Sequence, residues 1–167
     1  EIVYPKKDDT IEKLLENKNV HTNNNSGNIL IAGYSDILTN LANCCKPVYG
    51  DEIVGYITKG NGISVHRKDC KEIENDAERI IDVAWNDMGV ERYTVSIKVY
   101  IDSSNDNLVD IISLATKSDV IVSSINNKGR SKNEEIYELV CKVKNKEFLD
   151  KFMNDLSNMK FISRVER

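Results

Sequence analysis

The chain has 167 residues, a net charge of −4, and 30% charged and 40% hydrophobic residues. That length fits one ordinary domain or two small ones, and the balance describes a soluble globular protein, not one that coats nucleic acid. No apolar run approaches the roughly 18 residues a membrane span needs, and the N-terminus, EIVYPKKDDT, is too mixed and charged for a signal peptide. Four unevenly spread cysteines form no disulfide framework, so a reducing, cytoplasmic setting fits better. A first residue of Glu1 instead of Met suggests a piece excised from a longer protein.

Residues 1–27 read as a helical tail and linker. Asp9 and Glu12 are spaced as a capping box, and Ile11, Leu14 and Leu15 form a narrow apolar stripe that needs something to pack on. HTNNNSGN, from His21 to Asn28, is polar and turn-rich and marks the first boundary; His21 reads as a solvated bystander. A strand is expected over Ile29–Tyr34 and a short helix over Asp36–Asn43, with Ile37, Leu38 and Leu41 inward.

The chemistry concentrates between Ala42 and Cys70. Cys44 and Cys45 are adjacent, a turn is expected at Pro47–Asp51, and strands over Glu52–Thr58 and Ile63–His66 pivot on Gly60-Asn61-Gly62. That hairpin would return His66 and Cys70 beside the first cysteine pair. Zinc prefers four thiolate or imidazole ligands in a tetrahedron, commonly as two short-spaced pairs separated by a hairpin. Adjacent cysteines depart from the usual C-x-x-C, and both can ligate only where the backbone is irregular, which Pro47 favours. Two readings stand at this point: a structural Zn²⁺ held by Cys44, Cys45, His66 and Cys70, or packed, reduced thiols with His66 on the surface.

A helical turn or two is expected at Lys71–Asp76 and a closing strand at Arg79–Trp85, with Trp85 anchoring the core or the domain junction. So few apolar residues make a thin core, which a metal staple would help. Within 44–71, five cations (Lys46, Lys59, Arg67, Lys68, Lys71) stand against three acids (Asp51, Glu52, Asp69). This small basic face would suit docking on RNA at one place, or it is an ordinary solvated edge.

NDMG, Asn86–Gly89, marks the second boundary, dividing a cysteine-rich unit (28–87) from a second unit (88–167). Beyond it Tyr93, Val95, Ile97, Val99 and Ile101 alternate with polar residues as in a half-buried strand. Leu108, Ile111, Ile112 and Ala115 have helical spacing. Val120–Ile125 reads as a strand, NNKGR as a hairpin turn, and Glu135–Lys144 as a third strand. Phe148, Leu149, Phe152, Leu156 and Met159 line a second helix, and Phe161–Glu166 closes the sheet. The order βαββαβ is a ferredoxin-like split βαβ sandwich, so the chain is α+β throughout. Cys141, mid-strand, reads as a small buried hydrophobe.

CCKPVYGDEIVGYITKGNGISVHRKDC resembles the cysteine-rich (zinc-finger, or ribosome-intersubunit) domain of the RelA/SpoT homologues, the long (p)ppGpp synthetases and hydrolases of the bacterial stringent response. The βαββαβ unit resembles the ACT domain that follows it in that family, so the resemblance covers roughly residues 28–167. It implies a regulatory C-terminal segment, with synthesis and hydrolysis of (p)ppGpp belonging to N-terminal domains absent from this chain. It further implies the ribosome, with its rRNA and tRNA, as a partner, met through Lys46, Lys59, His66, Arg67 and Lys68. The catalytic domains of the same parent chain and an ACT-mediated homodimer are the other implied protein contacts. An amino-acid effector would sit at Asp102, Asn107 and Leu108. There the family's D-R-x-G-L-L is replaced by DSSNDNL: Asn107 stands at the glycine position and the basic residue is absent.

Three functions compete: a ribosome-coupled regulator of distant catalytic domains, an amino-acid-binding or dimerising ACT module without ribosome contact, and a redox enzyme using the vicinal cysteines. Against the last, no C-x-x-C opens a helix in a βαβ setting. Against any enzyme, the sequence offers no phosphate loop and no carboxylate set for a catalytic metal.

Overall fold

In the computed structural model, residues 29–31, 37–86, 92–104 and 107–167 are described. The expected N-terminal helix, the 21–28 linker with His21, and the later part of the strand expected over 29–34 lie outside these residues. The described residues fall into two compact units. One holds those up to 47 and from 51 to 86; the other holds 48–50 and everything described from 92 onward.

The first unit is built from short strands: β1 (Ile29–Ile31), β2 (Thr39–Leu41), β3 (Ile53–Ile57), β4 (Ile63–Arg67), β5 (Ile80–Ile81) and β6 (Val83–Trp85). β2, β4, β3 and β5 form one sheet in that order, with β2 parallel to β4 and the other pairs antiparallel. β1 and β6 pair separately, Ile29 opposite Trp85. Ile29, Ile31, Ile37, Ile63 and Val65 are the buried core, with Leu41, Ile53, Ile81, Val83 and Trp85 packed on it. The Trp85 indole N–H donates to the Asp51 carbonyl at 2.9 Å, which fixes the ring against this core.

Gly55 lies where the packing is tightest. A Cβ there would come within 2.8–2.9 Å of Val83, Ile63 and Ile81. At the hairpin end, Gly62 combines a φ of +73° with a Leu38 carbonyl 2.4 Å from where a Cβ would sit, so any side chain is excluded.

Two expectations need correction here. The described part of the 36–43 segment holds no helix, and its centre is a strand: Thr39 to Leu41 pair with Ile63 to Val65. Ile37 and Thr39 turn inward and Asn40 outward, a period of two that wins once β4 offers a ladder. The strand expected over 79–85 is two strands separated at Asp82: β5 extends the larger sheet, and β6 leaves to pair with β1. Two short 3₁₀ turns, Lys71–Ile73 and Ala77–Arg79, lead into them.

The second unit has the expected βαββαβ order: β7 (Tyr93–Asp102), α1 (Leu108–Lys117), β8 (Ile121–Ser131), β9 (Glu134–Val143), α2 (Lys146–Ser157) and β10 (Ile162–Glu166). The strands run β10-β7-β9-β8, all antiparallel, a ferredoxin-like sheet. Tyr93, Val95, Ile97, Val99 and Ile101 of β7 are buried, beside Leu139, Cys141 and Val143 of β9. Onto them pack Ile111 and Ala115 of α1 and Leu149, Phe152 and Leu156 of α2. Asn145 caps α2, its side-chain oxygen accepting the Phe148 N–H at 3.1 Å.

NNKGR is not the hairpin turn. It lies within β8, where the register slips between Asn127 and Gly129, and the chain reverses at Lys132 and Asn133 instead. Gly129, at φ +121°, is absorbed by this irregularity.

Candidate metal centre

β4 separates its residues by alternation. Ile63 and Val65 are fully buried in the core, while Ser64 and His66 point to the other face. Across the hairpin, Val54 pairs with His66 and Tyr56 with Ser64. The metal-ligating candidates gather on this second face of the sheet.

Adjacent cysteines converge because the backbone leaves regular geometry beneath them. Residues 43–45 form a turn closed by the Lys46 N–H donating to the Ala42 carbonyl at 3.0 Å. Lys46 itself has a φ of 43°, in the left-handed region, and Pro47 stops any helix from continuing. The second pair comes from the end of β4, where the Cys70 N–H donates to the Arg67 carbonyl at 3.0 Å and closes a tight turn. This turn sets Cys70 beside His66.

The ligand atoms of Cys44, Cys45, His66 and Cys70 all lie within 4.8 Å of one another. Cys44 Sγ is 3.4 Å from His66 Nδ1 and 3.6 Å from Cys70 Sγ, and Cys45 Sγ is 3.8 Å from Nδ1. Tetrahedral bonds of about 2.3 Å to sulfur and 2.0–2.1 Å to nitrogen give ligand–ligand edges of roughly 3.5–3.8 Å. These three separations and the donor set, three sulfurs and an imidazole, suit Zn²⁺, with the widest spacing in the set, up to 4.8 Å, closing by about 1 Å around an ion.

The surroundings orient these groups. His66 Nε2 lies 3.0 Å from Ser64 Oγ; with Nε2–H donating to the hydroxyl, the Nδ1 lone pair faces the sulfurs. The Arg67 backbone N–H donates to Cys45 Sγ at 3.3 Å. The Tyr56 ring meets His66 edge-on, 6.1 Å between centroids, and its hydroxyl donates to Asp76 at 2.7 Å. Burial holds the His66 imidazole below its ordinary pKa, with Glu72 pulling the other way, which favours the neutral, ligating form. Burial, reinforced by the neighbouring Cys70 thiol, raises Cys44, and burial pushes Cys45 up to about 12 against the lowering effect of the Arg67 N–H. Without a metal such thiols carry only a small thiolate fraction at neutral pH, which counts against rapid redox turnover by an enzyme but not against slow, stoichiometric oxidation; a divalent cation in their midst would hold them as thiolates. All four cysteines are free thiols.

Ser64, Tyr56 and Asp76 escaped the sequence reading. Ser64 was accessible to it, standing two residues before His66 on the same strand face.

The expected RNA contacts are distributed unevenly. Lys59 is exposed beside the hairpin turn, and Lys46 is half-buried. Arg67 pairs with Asp69 at 3.3 Å and Lys68 with Glu52 at 4.0 Å. His66 is 8% exposed and turned toward the thiols, so it is a member of the metal cluster and not of a basic rim.

At the expected effector loop, Asp102 accepts the Ser104 N–H at 3.0 Å and its hydroxyl at 2.8 Å, which holds the carboxyl below its ordinary pKa. Asn107 precedes α1 with a φ of −108°, so the left-handed tolerance that would let Asn replace glycine is not used there. Asn107 is exposed and Leu108 half-buried.

The chain is similar to several known proteins. Residues 29–86 match the RelA/SpoT RIS domain. The chain is 29% identical over 166 residues to a GTP pyrophosphokinase of Photobacterium angustum, a match covering 94% of this chain and 22% of that protein. It is 32% identical over 129 residues to the GTP pyrophosphokinase of Escherichia coli strain K12, covering 73% of this chain and 17% of that protein. The chain thus spans about a fifth of the length of these curated relatives. Among solved structures, the ACT domain from GTP pyrophosphokinase of Chlorobium tepidum aligns with a TM-score of 0.39 and 20% identity, over 47% of this chain and 88% of that domain. Residues 29–86 therefore correspond to the RelA/SpoT RIS domain, and over most of its length the chain is homologous to RelA/SpoT GTP pyrophosphokinases, which supports reading it as a C-terminal regulatory region.

Proposed function

We propose that this chain is the non-catalytic, regulatory end of a longer cytoplasmic (p)ppGpp synthetase/hydrolase. In this reading Zn²⁺ held by Cys44, Cys45, His66 and Cys70 keeps the first unit in shape. That unit docks on the ribosome and reports translation state to catalytic domains carried elsewhere in the parent chain. The convergence of four soft ligand atoms within 4.8 Å, on the unit that matches the RIS domain, carries the reading. Four protein ligands close a zinc site and leave no position for an activated water, so the metal's part is a cross-link and not catalysis.

Docking falls to the hairpin β3–β4, with Lys59, Arg67 and Lys68 in or next to it, together with Lys46 of the preceding cysteine turn. Phosphate contacts by such cations release counterions, so affinity falls with salt, by a slope of roughly 0.7–0.9 per contact. The test is ribosome co-sedimentation of a full-length protein carrying this segment, with Arg67→Ala and Lys68→Ala combined, at two salt concentrations. Weaker association with a shallower salt slope is the expected result. Unchanged affinity at both salts removes ribosome docking from the role and leaves the unit as an internal restraint on the catalytic domains.

A further inference from the structure

The metal cluster holds three thiols, and their geometry separates them. Cys44 is exposed, in the turn after β2, and its sulfur lies 3.6 Å from that of Cys70, which is 8% exposed. Cys45 is half-buried, and its sulfur is held by the Arg67 N–H at 3.3 Å. We propose that Cys44 and Cys70 form a dithiol that a hydroperoxide converts to a disulfide, dismantling the four-ligand set. The consequence for a bound metal rests on the zinc reading above; the sulfur chemistry does not.

An oxidant arriving from solvent meets Cys44 first, since it is the exposed member of the three. Its sulfur attacks one peroxide oxygen and the O–O bond breaks. Two electrons pass from sulfur to oxygen, leaving a sulfenic acid on Cys44 and, after protonation, an alcohol or water. The Cys70 sulfur then attacks the Cys44 sulfur. The S–S bond forms, the S–O bond breaks, and hydroxide leaves as water with the Cys70 proton. Two thiols and one hydroperoxide thus give one disulfide, one water and the reduced peroxide.

The alternative bridges are less favourable. Joining Cys44 to Cys45 closes a strained ring between adjacent residues, and their sulfurs are directed separately toward His66, at 3.4 and 3.8 Å. Joining Cys45 to Cys70 would leave the exposed thiol out and break the Arg67 hydrogen bond. Closing Cys44 onto Cys70, by contrast, needs a movement of about 1.5 Å to reach the roughly 2.05 Å bond, within the reach of an exposed turn. Cys45 and His66 alone cannot complete a tetrahedral site. Cys141, fully buried in the second unit, serves as an internal control.

The experiment loads the 167-residue chain with zinc and adds hydrogen peroxide at one equivalent. Remaining thiols are blocked, the bridged peptides mapped by mass, and zinc release followed with a chromogenic chelator. The expected result is a Cys44–Cys70 peptide, a chain lighter by two hydrogens, and zinc lost in step with the bridge. Cys70→Ser is expected to halt at a sulfenic acid on Cys44, captured by dimedone, and Cys45→Ser to bridge as before. A Cys44–Cys45 bridge, bridging only between chains, or wild-type oxidation without any bridge overturns the proposal. Should the chain take up no zinc, the zinc reading fails by itself, while the mapped bridge still decides the sulfur chemistry.

Discussion

The second unit fully buries Phe152, Leu149, Leu156, Ile111, Leu139 and Ile97 between one face of its sheet and two helices. Among the described residues of the first unit, only Ile31, Ile63 and Val65 are buried as completely among the large side chains. Each full burial of such a residue contributes about 1.5–3 kcal/mol, so a sheet with helices laid along it holds itself together. A sheet of two- to five-residue strands, with no α-helix among the described residues of its unit, does not. What the first unit has instead lies on the other face of that sheet: a pre-shaped ligand set. Zinc held by such sets in small peptides has an apparent binding energy of roughly 10–16 kcal/mol at pH 7, which exceeds what the missing core would supply. On the zinc reading proposed above, the two units take two routes to one end, stability from area and stability from ligation.

Removing zinc with a strong chelator is the largest perturbation of this contrast. Amide dispersion from residues of β2 to β5 should collapse in two-dimensional NMR spectra, while that from β7 to β10 persists. If both sets collapse together, the units are not independently supported. Phe152→Ala should do the reverse. It should cost the second unit about 3–5 kcal/mol in denaturant unfolding, the range for deleting a buried aromatic ring, and leave zinc affinity unchanged.

The third prediction concerns pH and belongs to the first unit alone. Because Cys44 and Cys45 are raised, Cys45 to about 12, both are protonated near neutrality, and zinc must displace at least these two protons. Affinity should therefore rise with pH, by at least about a hundredfold per unit between roughly pH 6 and 8. Titration calorimetry in buffers of different ionisation enthalpy counts the released protons; none released would contradict the thiol assignment. The smallest effect is expected at Asp119 in the second unit. Its carboxylate joins Arg92, before β7, to Lys144, after β9, and Lys144 first and Arg92 second hold it below its ordinary pKa. A depressed carboxyl adds stability above its unfolded value, about 3.9, and loses it as pH falls through the folded one. Asp119→Asn, which tolerates the left-handed φ of 56°, should lower the second unit's melting temperature slightly at pH 7. The difference should fade in acid.

How legible each unit was in sequence follows from the same contrast. The second unit announces itself through long periods: five alternating apolar residues in β7 and two helices at i, i+3, i+4 spacing. Only the hairpin end misleads, because NNKGR carries turn residues but uses its glycine inside a strand, at a register slip. In the first unit the ligand types and the Gly60–Gly62 pivot are readable, since metal geometry and turn chemistry both act locally. The helix expected over 36–43 fails because Ile37, Leu38 and Leu41 fit either period, and only the parallel pairing with β4, more than twenty residues away, decides it. The split of residues 79–85 at Asp82 is likewise set by two different partner strands. His66 fits a basic rim equally well by spacing; burial assigns it to the thiols.

The most direct test of the ligated first unit is zinc K-edge absorption spectroscopy on the chain as purified, with metal content measured alongside. Three sulfurs at about 2.3 Å and one nitrogen at about 2.0–2.1 Å are predicted, with the nitrogen shell lost in His66→Ala. A chain without zinc, or a shell dominated by oxygen, would contradict it.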